Sequence, residues 1–345
     1  MYWRDLGYLL SLIPVSLTLL GNILGGDWTL GNILFTLVGL VLTDWFIGER
    51  KDQPEPHSPL IANVLLVIHV LTHTAAIASL AVGAATGKLS GKFLLFATVS
   101  TGVNSGVSGI VVAHELIHRK ERLWQALGIW NLLLVNYAHF FIEHIKAHHK
   151  YAATPKDAAT AQYGETVYGF IRRTIPAQFQ SALSLEAERL RKKGKAPFGL
   201  ENFVVRNTLV QALITASVFL GLGPAAGLAY LGQAAIAVCL LEITNYAQHY
   251  GLRRSENERI SAAHSWNTDH LSSRFFLLEL PRHSDHHYYA ARPYQELRSY
   301  PESPTLPTGY LGLLPVVLIP PLWFKLIHPI LAEHHKVQKV QPVLS

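Results

Sequence analysis

The sequence predicts an all-α integral membrane protein with about six membrane-crossing helices and a histidine-rich helical cap. Three observations predict it. The chain of 345 residues is 50% hydrophobic but only 15% charged, against about 25% charged in ordinary soluble domains, and its mean hydropathy is +0.22. Six apolar segments each reach the roughly 20 residues that cross a bilayer. Beside them stand three histidine clusters: His114-Glu115-Leu116-Ile117-His118, His144-Ile145-Lys146-Ala147-His148-His149 and His283-Ser284-Asp285-His286-His287.

The spans are expected over about 6–26, 28–48, 60–84, 92–113, 203–222 and 225–247, with the cap formed by 114–202 and 248–345. No linker bounds a second module, so 1–345 reads as one membrane-embedded domain. The first span, preceded only by Arg4 and lacking a small-residue cleavage site, reads as retained. Asp44 and Asn104 should turn the second and fourth spans inward. The stretches 124–142 and 310–328 are apolar but interrupted, the latter by Pro315, Pro320 and Pro321, and their crossing stays open. Residues 180–198 read as an amphipathic surface helix followed by a Gly/Pro turn.

Lys and Arg concentrate in 49–59, 119–202 and 250–302, while the connections near 23–27, 85–91 and 221–226 hold almost none. The positive-inside rule then puts the cap and both termini in the cytoplasm, at an inner membrane. The net charge of +6 reads as juxtamembrane rather than as a nucleic-acid footprint, because no basic stripe interleaves with aromatics. Cys239 is the sole cysteine, which excludes intrachain disulfides and thiolate-held clusters.

Histidines four apart share a helix face, and neutral imidazole is the commonest metal ligand. Eight residues exceed what one tetrahedral zinc uses, so the clusters argue for two metal ions at one membrane face. That requires 124–142 to be re-entrant, interfacial or buried inside the protein, since a full crossing would separate the first two clusters. Thiolate-free imidazole ligation suits iron, copper or zinc. Within the second cluster, helical spacing puts His144 and His148 on one face, with His149 about 100° away and free to serve the other ion. Taken alone, His114-Glu115-x-x-His118 is also the zinc-protease pattern with Glu115 as base, so an intramembrane metalloprotease is the alternative from another class. His69 and His73 read as a buried polar pair bonded to neighbouring helices. His57, His328, His334 and His335 carry no motif.

The run His114 to Lys120, the box Glu143 to His149 followed by Ala153-Thr154-Pro155-Lys156-Asp157, Asn245 to Leu252, His264-Ser265-Trp266-Asn267, and Arg282 to His287 together resemble the integral-membrane alkane 1-monooxygenase family of the fatty-acid desaturases and hydroxylases. The resemblance implies a non-haem di-iron enzyme that inserts one atom of O2 into a terminal C–H bond. It implies nine ligands: His114, His118, His144, His148, His149, His249, His283, His286 and His287. Glu115, Glu143 and Asp285, beside ligands, are expected to accept from ring nitrogens. His264 matches a family motif, as a loop cap or a metal-site residue. Gln248 and Ala147 depart from the commoner Glu and Gly, which keeps the xylene monooxygenase branch and its aromatic methyl substrates open as an alternative.

The substrate is expected to be a hydrocarbon entering from membrane lipid through a channel lined by the first four spans. Where they face it, small residues such as Gly39 or Gly102 would lengthen it, and Trp45 or Phe96 would block it. With no flavin, nicotinamide or four-cysteine site on this chain, a separate carrier must supply electrons: a rubredoxin-like or ferredoxin-type donor with its reductase, docking on the basic cap.

Overall fold

The computed structural model describes residues 3–54 and 58–340, so His57 lies outside the described residues. Six helices in it are long and apolar enough to cross a membrane: Arg4–Leu24, Gly26–Phe46, Pro59–Ala85, Gly91–Ile117, Phe203–Leu222 and Pro224–His249. They coincide with the expected spans to within a few residues. The described residues form no strand, only the isolated bridges Glu49↔His270 and Asn267↔Thr305.

In lipid the backbone must satisfy itself, which is why every crossing is helical. The spans start and stop on local signals. Ser58 caps the third through the amide of Ile61, with Pro59 at its first position. Asn202 caps the fifth through the amides of Val204 and Val205, and Gly223, at φ +89°, separates it from the sixth. The fourth span is the centre of the bundle, with 78% of its apolar window buried against 17% for the fifth, which lies at the edge. Polar side chains inside the bundle bind across helices: Asn22 donates to the Ala76 carbonyl, Asn32 to that of Ser100.

The stretch 124–142 does not cross. Helix Arg122–Leu134 descends from the cap, and residues 140–151 climb back. The reversal is a Schellman turn. Asn136 sits at φ +55°, the Tyr137 amide bonds the Leu132 carbonyl at 2.9 Å, and the Asn136 amide bonds that of Leu133 at 3.1 Å. Asparagine tolerates this left-handed conformation better than other non-glycine residues. The first two histidine clusters therefore emerge on the same face.

The stretch 310–328 is not a single helix either. It is two helices, Tyr310–Val317 and Pro320–Val340, broken where Pro320 cannot continue the first. Asp44, buried in the second span, anchors the first of them by accepting the Gly312 amide at 2.9 Å and the Ser273 amide at 3.0 Å. A Cβ on Gly309 would collide with that carboxylate, so a side chain there would break the anchor. The surface helix is longer than its charged part suggested, Val167–Arg191, and ends at Gly194 (φ +67°). Val167, Phe170, Ala182 and Leu190 bury its inner face.

Candidate metal centre

The structure gathers all nine expected histidines into two adjoining groups. One comprises His114, His118, His144, His149 and His286; the other comprises His148, His249, His283 and His287. Within each, the candidate nitrogens lie within 4.8 Å of one another. His114 and His118 close the fourth span, His249 ends the sixth, and the third cluster rides on helix His283–Tyr288.

The division of the second cluster corrects the expectation from helical spacing. His144 joins His149, at 3.1 Å between Nε2 atoms, while His148 faces the other group. The cause is local: His144–His148 is a π-helical turn. Its backbone bonds run from i to i+5, so each residue turns through less than the 100° of an α-helix, which brings His149 round toward the side of His144. No sequence periodicity marks such a turn.

The inter-ring distances test whether these residues fit a metal. The Nε2 atoms of His249, His283 and His287 form a closed triangle with sides of 3.1, 3.2 and 2.9 Å. Each Nε2 carries either a proton or a lone pair, never both. Three such atoms in mutual contact include at least one like pair, so hydrogen bonding cannot hold the triangle. A central cation can: nitrogens about 2.1 Å from one ion and about 95° apart lie about 3.1 Å from each other. The first group repeats the spacing, with His118–His144 at 3.0 Å and His149–His286 at 3.1 Å. Burial first, then the neighbouring imidazoles, holds His118, His144, His149, His283, His286 and His287 well below the usual histidine range, in the neutral form that binds metal.

Partners outside the groups orient the rings, and they are largely not the expected ones. His148 donates Nδ1–H to Asp157 at 3.0 Å, which leaves its buried Nε2 as a lone pair without a hydrogen-bond partner, facing the triangle. His249 donates Nδ1–H to the His264 carbonyl at 3.1 Å, since a carbonyl can only accept. The His264 ring itself caps its loop at Ser261. Glu115 is taken by Arg119 at 2.6 Å, and Asp285 by Arg292, Tyr300 and the Arg298 amide. Glu143 is buried with no hydrogen-bond partner on either oxygen among the described residues. Burial, with Asp157 and Glu242 nearby, pushes its carboxyl well above the usual range.

Asp157 was legible only as part of a motif, because it sits in a loop nine residues beyond His148 rather than at a helical spacing. Replacing it with asparagine should weaken metal binding about 10–100-fold. Titration of the purified protein with Fe(II) measures this; unchanged affinity would remove Asp157 from the site.

The sequence reading also missed a buried ion cluster behind the third box. Glu279 binds Arg4 at 3.0 Å and Arg274 at 2.7 Å, and Arg282 binds Asp269 at 3.0 Å and Asp52 at 3.1 Å. Tyr8 donates to Glu279 at 2.8 Å. Arg282 directly precedes His283, so the cluster ties the third box to the first span.

An apolar cavity, with about 80 Å³ of space for the centres of water-sized molecules, ends at His114 and His144. Its walls come from the second, fourth and sixth spans (Thr36, Gly106, Leu240) and from 277–280 and 310–317. The expectation of four wall-forming N-terminal spans is thus corrected, and Gly39, Gly102, Trp45 and Phe96 do not line it. Gly102 instead admits Ile236 of the sixth span, whose Cβ would lie 2.7 Å from an added methyl. Gln248 lines the cavity near the histidines.

Residues 90–315 match the family model described as fatty acid desaturase. The chain belongs to the fatty acid desaturase family. Within it, alkane 1-monooxygenases are similar over most of the chain. That of Ectopseudomonas oleovorans is 35% identical over 318 residues, covering 89% of this chain and 79% of the relative. Alkane 1-monooxygenase 1 of Pseudomonas aeruginosa is 42% identical over 252 residues, covering 70% of this chain and 65% of the relative, so the match spans just under two thirds of that protein's length. The xylene/toluene monooxygenase hydroxylase component XylM of Pseudomonas putida is 37% identical over 226 residues, covering 65% and 60%. The desaturase family match and six apolar spans make this a multi-pass membrane protein, with two histidine groups that could hold metal.

Proposed function

We propose that this protein is a non-haem di-iron monooxygenase that hydroxylates the terminal methyl group of alkanes. The observation that carries the reading is an apolar cavity between the spans that ends on one of two adjoining histidine groups spaced for metal. The balanced reaction takes alkane, O2, two electrons and two protons to the primary alcohol and water. Bound iron with open positions would supply the oxygen-activating chemistry, which zinc lacks.

The chain's own residues perform the rest. His114, His118, His144, His149 and His286 would hold one ion, and His148, His249, His283 and His287 the other. Asp157 and the His264 carbonyl hold two rings in the tautomer that offers Nε2. The narrow apolar walls exclude water and bring a chain end-on to His114 and His144, so that position rather than chemistry selects the carbon. The electrons come from a separate rubredoxin-like or ferredoxin-type donor, drawn to the basic cap on the cytoplasmic side of the inner membrane.

The protease alternative needs a free Glu115 and a single zinc. Glu115 is instead bound to Arg119, and five histidines converge where such a site uses three protein ligands. Aromatic methyl oxidation remains the second reading, favoured by the likeness to the xylene/toluene component.

The test is metal content by mass spectrometry on detergent-purified protein, with octane and xylene supplied to membranes holding reductant and carrier. Two irons with 1-octanol are expected. Methylbenzyl alcohol alone moves the substrate to the aromatic branch, and one zinc with no oxygenated product overturns the proposal.

A further inference from the structure

We propose that His69 and His73, inside the third span and away from the cavity, are positioning residues that latch a π-helical turn of the fourth span and so set where His114 and His118 point. The inference rests on reading the first histidine group as a metal site. The fourth span is α-helical over Gly91–Asn104, π-helical over Ser105–Ile110, and α-helical again over Val111–Ile117. The widened turn lies one to two turns before His114.

Every polar handle of that turn is held by another element. Ser11 donates its hydroxyl to the Tyr8 carbonyl at 2.6 Å, so its oxygen accepts from His69 Nε2 at 2.8 Å. His69 Nδ1 then accepts the Ser108 hydroxyl at 2.8 Å. Ser105 donates to Gln233 Oε1 of the sixth span at 2.7 Å, and its oxygen accepts from His73 Nε2 at 3.1 Å. Asn131, on the re-entrant helix, donates to the Gly109 carbonyl at 3.0 Å. The His73 ring presses on the turn's backbone, and a Cβ on Gly109 would lie 2.5 Å from its Nε2.

This differs from ordinary hydroxyls in these spans. Thr72, Thr74 and Thr98 bond back to the carbonyl four residues earlier in their own helix. Ser105 and Ser108 bond across to other elements instead. The opposite side of the same turn, at Gly106, Val107 and Ile110, lines the cavity. The latch thus grips the turn from behind while its front faces substrate.

The geometry gives the latch its consequence. A π turn holds one residue more than an α turn, and each residue of helix is about 100° of rotation. If the turn relaxed to α geometry, His114 and His118 would face about 100° away from His144, His149 and His286. The second group draws on no residue of the fourth span and would be spared.

The test compares wild type with the double variant His69→Leu/His73→Leu, both detergent-purified. Iron per chain and its Mössbauer signature are read on the loaded protein, and amide hydrogen exchange on the metal-free protein. The expected result is a fall from two irons to one, with exchange rising about tenfold across 105–114 alone, from the loss of several buried hydrogen bonds. His69→Gln/His73→Gln, which keeps a donor and an acceptor at each place, should restore both readings. Two irons and unchanged exchange in the leucine variant would overturn the latch, as would a rise spread over all spans. Should that variant not fold, Gly109→Ala, whose methyl meets the His73 ring, should be half-loaded; full loading would overturn the proposal. A wild type without iron refutes the di-iron reading, while the metal-free exchange comparison still decides the latch.

Discussion

A chain with His286 replaced by alanine is expected to bind one metal ion instead of two and to release no oxygenated product. His286 is the member of the third box that leaves its own cluster. Its Nε2 lies 3.1 Å from that of His149, whereas His283 and His287 belong to the triangle with His249. Alanine keeps the helix and leaves the triangle untouched, so the second group should still load. The first group retains His114, His118, His144 and His149, but loses its member from the third box. Metal analysis and product formation from octane read the two effects separately. A variant that keeps two ions and full turnover would remove His286 from the ligand set.

The second large effect is on stability. Glu279 is fully buried and faces Arg4, Arg274 and Arg282, at 3.0, 2.7 and 3.4 Å. Burial alone would raise its carboxyl, but the three guanidinium groups outweigh it, Arg274 first, and hold it down at about 2. Glu279→Gln leaves three buried arginines against Asp52 and Asp269, and removing one partner of a buried ion pair costs about 3–5 kcal/mol. Detergent-phase thermal unfolding should show the loss, and a shift within error of wild type would mean that the cluster contributes little.

The pH dependence follows from the same shift. A carboxyl depressed in the folded state contributes its full stability above its usual value of 4.5, and that contribution is lost as pH falls through about 2. Wild type should therefore lose stability over this window, and the glutamine variant should lose less. Because Arg282 adjoins His283, the variant should also bind metal more weakly in the second group.

The composition and the apolar runs were enough to place six spans, since a bilayer demands length and hydrophobicity and little else. Eight of the nine histidines were legible because helical spacing keeps the imidazoles of each box near one another along the chain, and His249 was legible only through the family resemblance. Topology reasoning argued against a full crossing of 124–142, and the turn at Asn136 shows that the chain returns. What the sequence could not carry is which imidazole serves which group. That depends on π-helical turns at 105–110 and 144–148, where one extra residue per turn re-aims the side chains. The turn at 105–110 is in contact with distant elements, His69 with Ser108 and His73 with Ser105. The orienting partner Asp157, the arginine–glutamate cluster behind the third box and the walls of the cavity are likewise decided by tertiary packing. Local sequence determined that this chain would cross a membrane and bring histidines to its face. Only packing between helices decided their division into two groups, because rotation about a helix axis answers to neighbours rather than to periodicity.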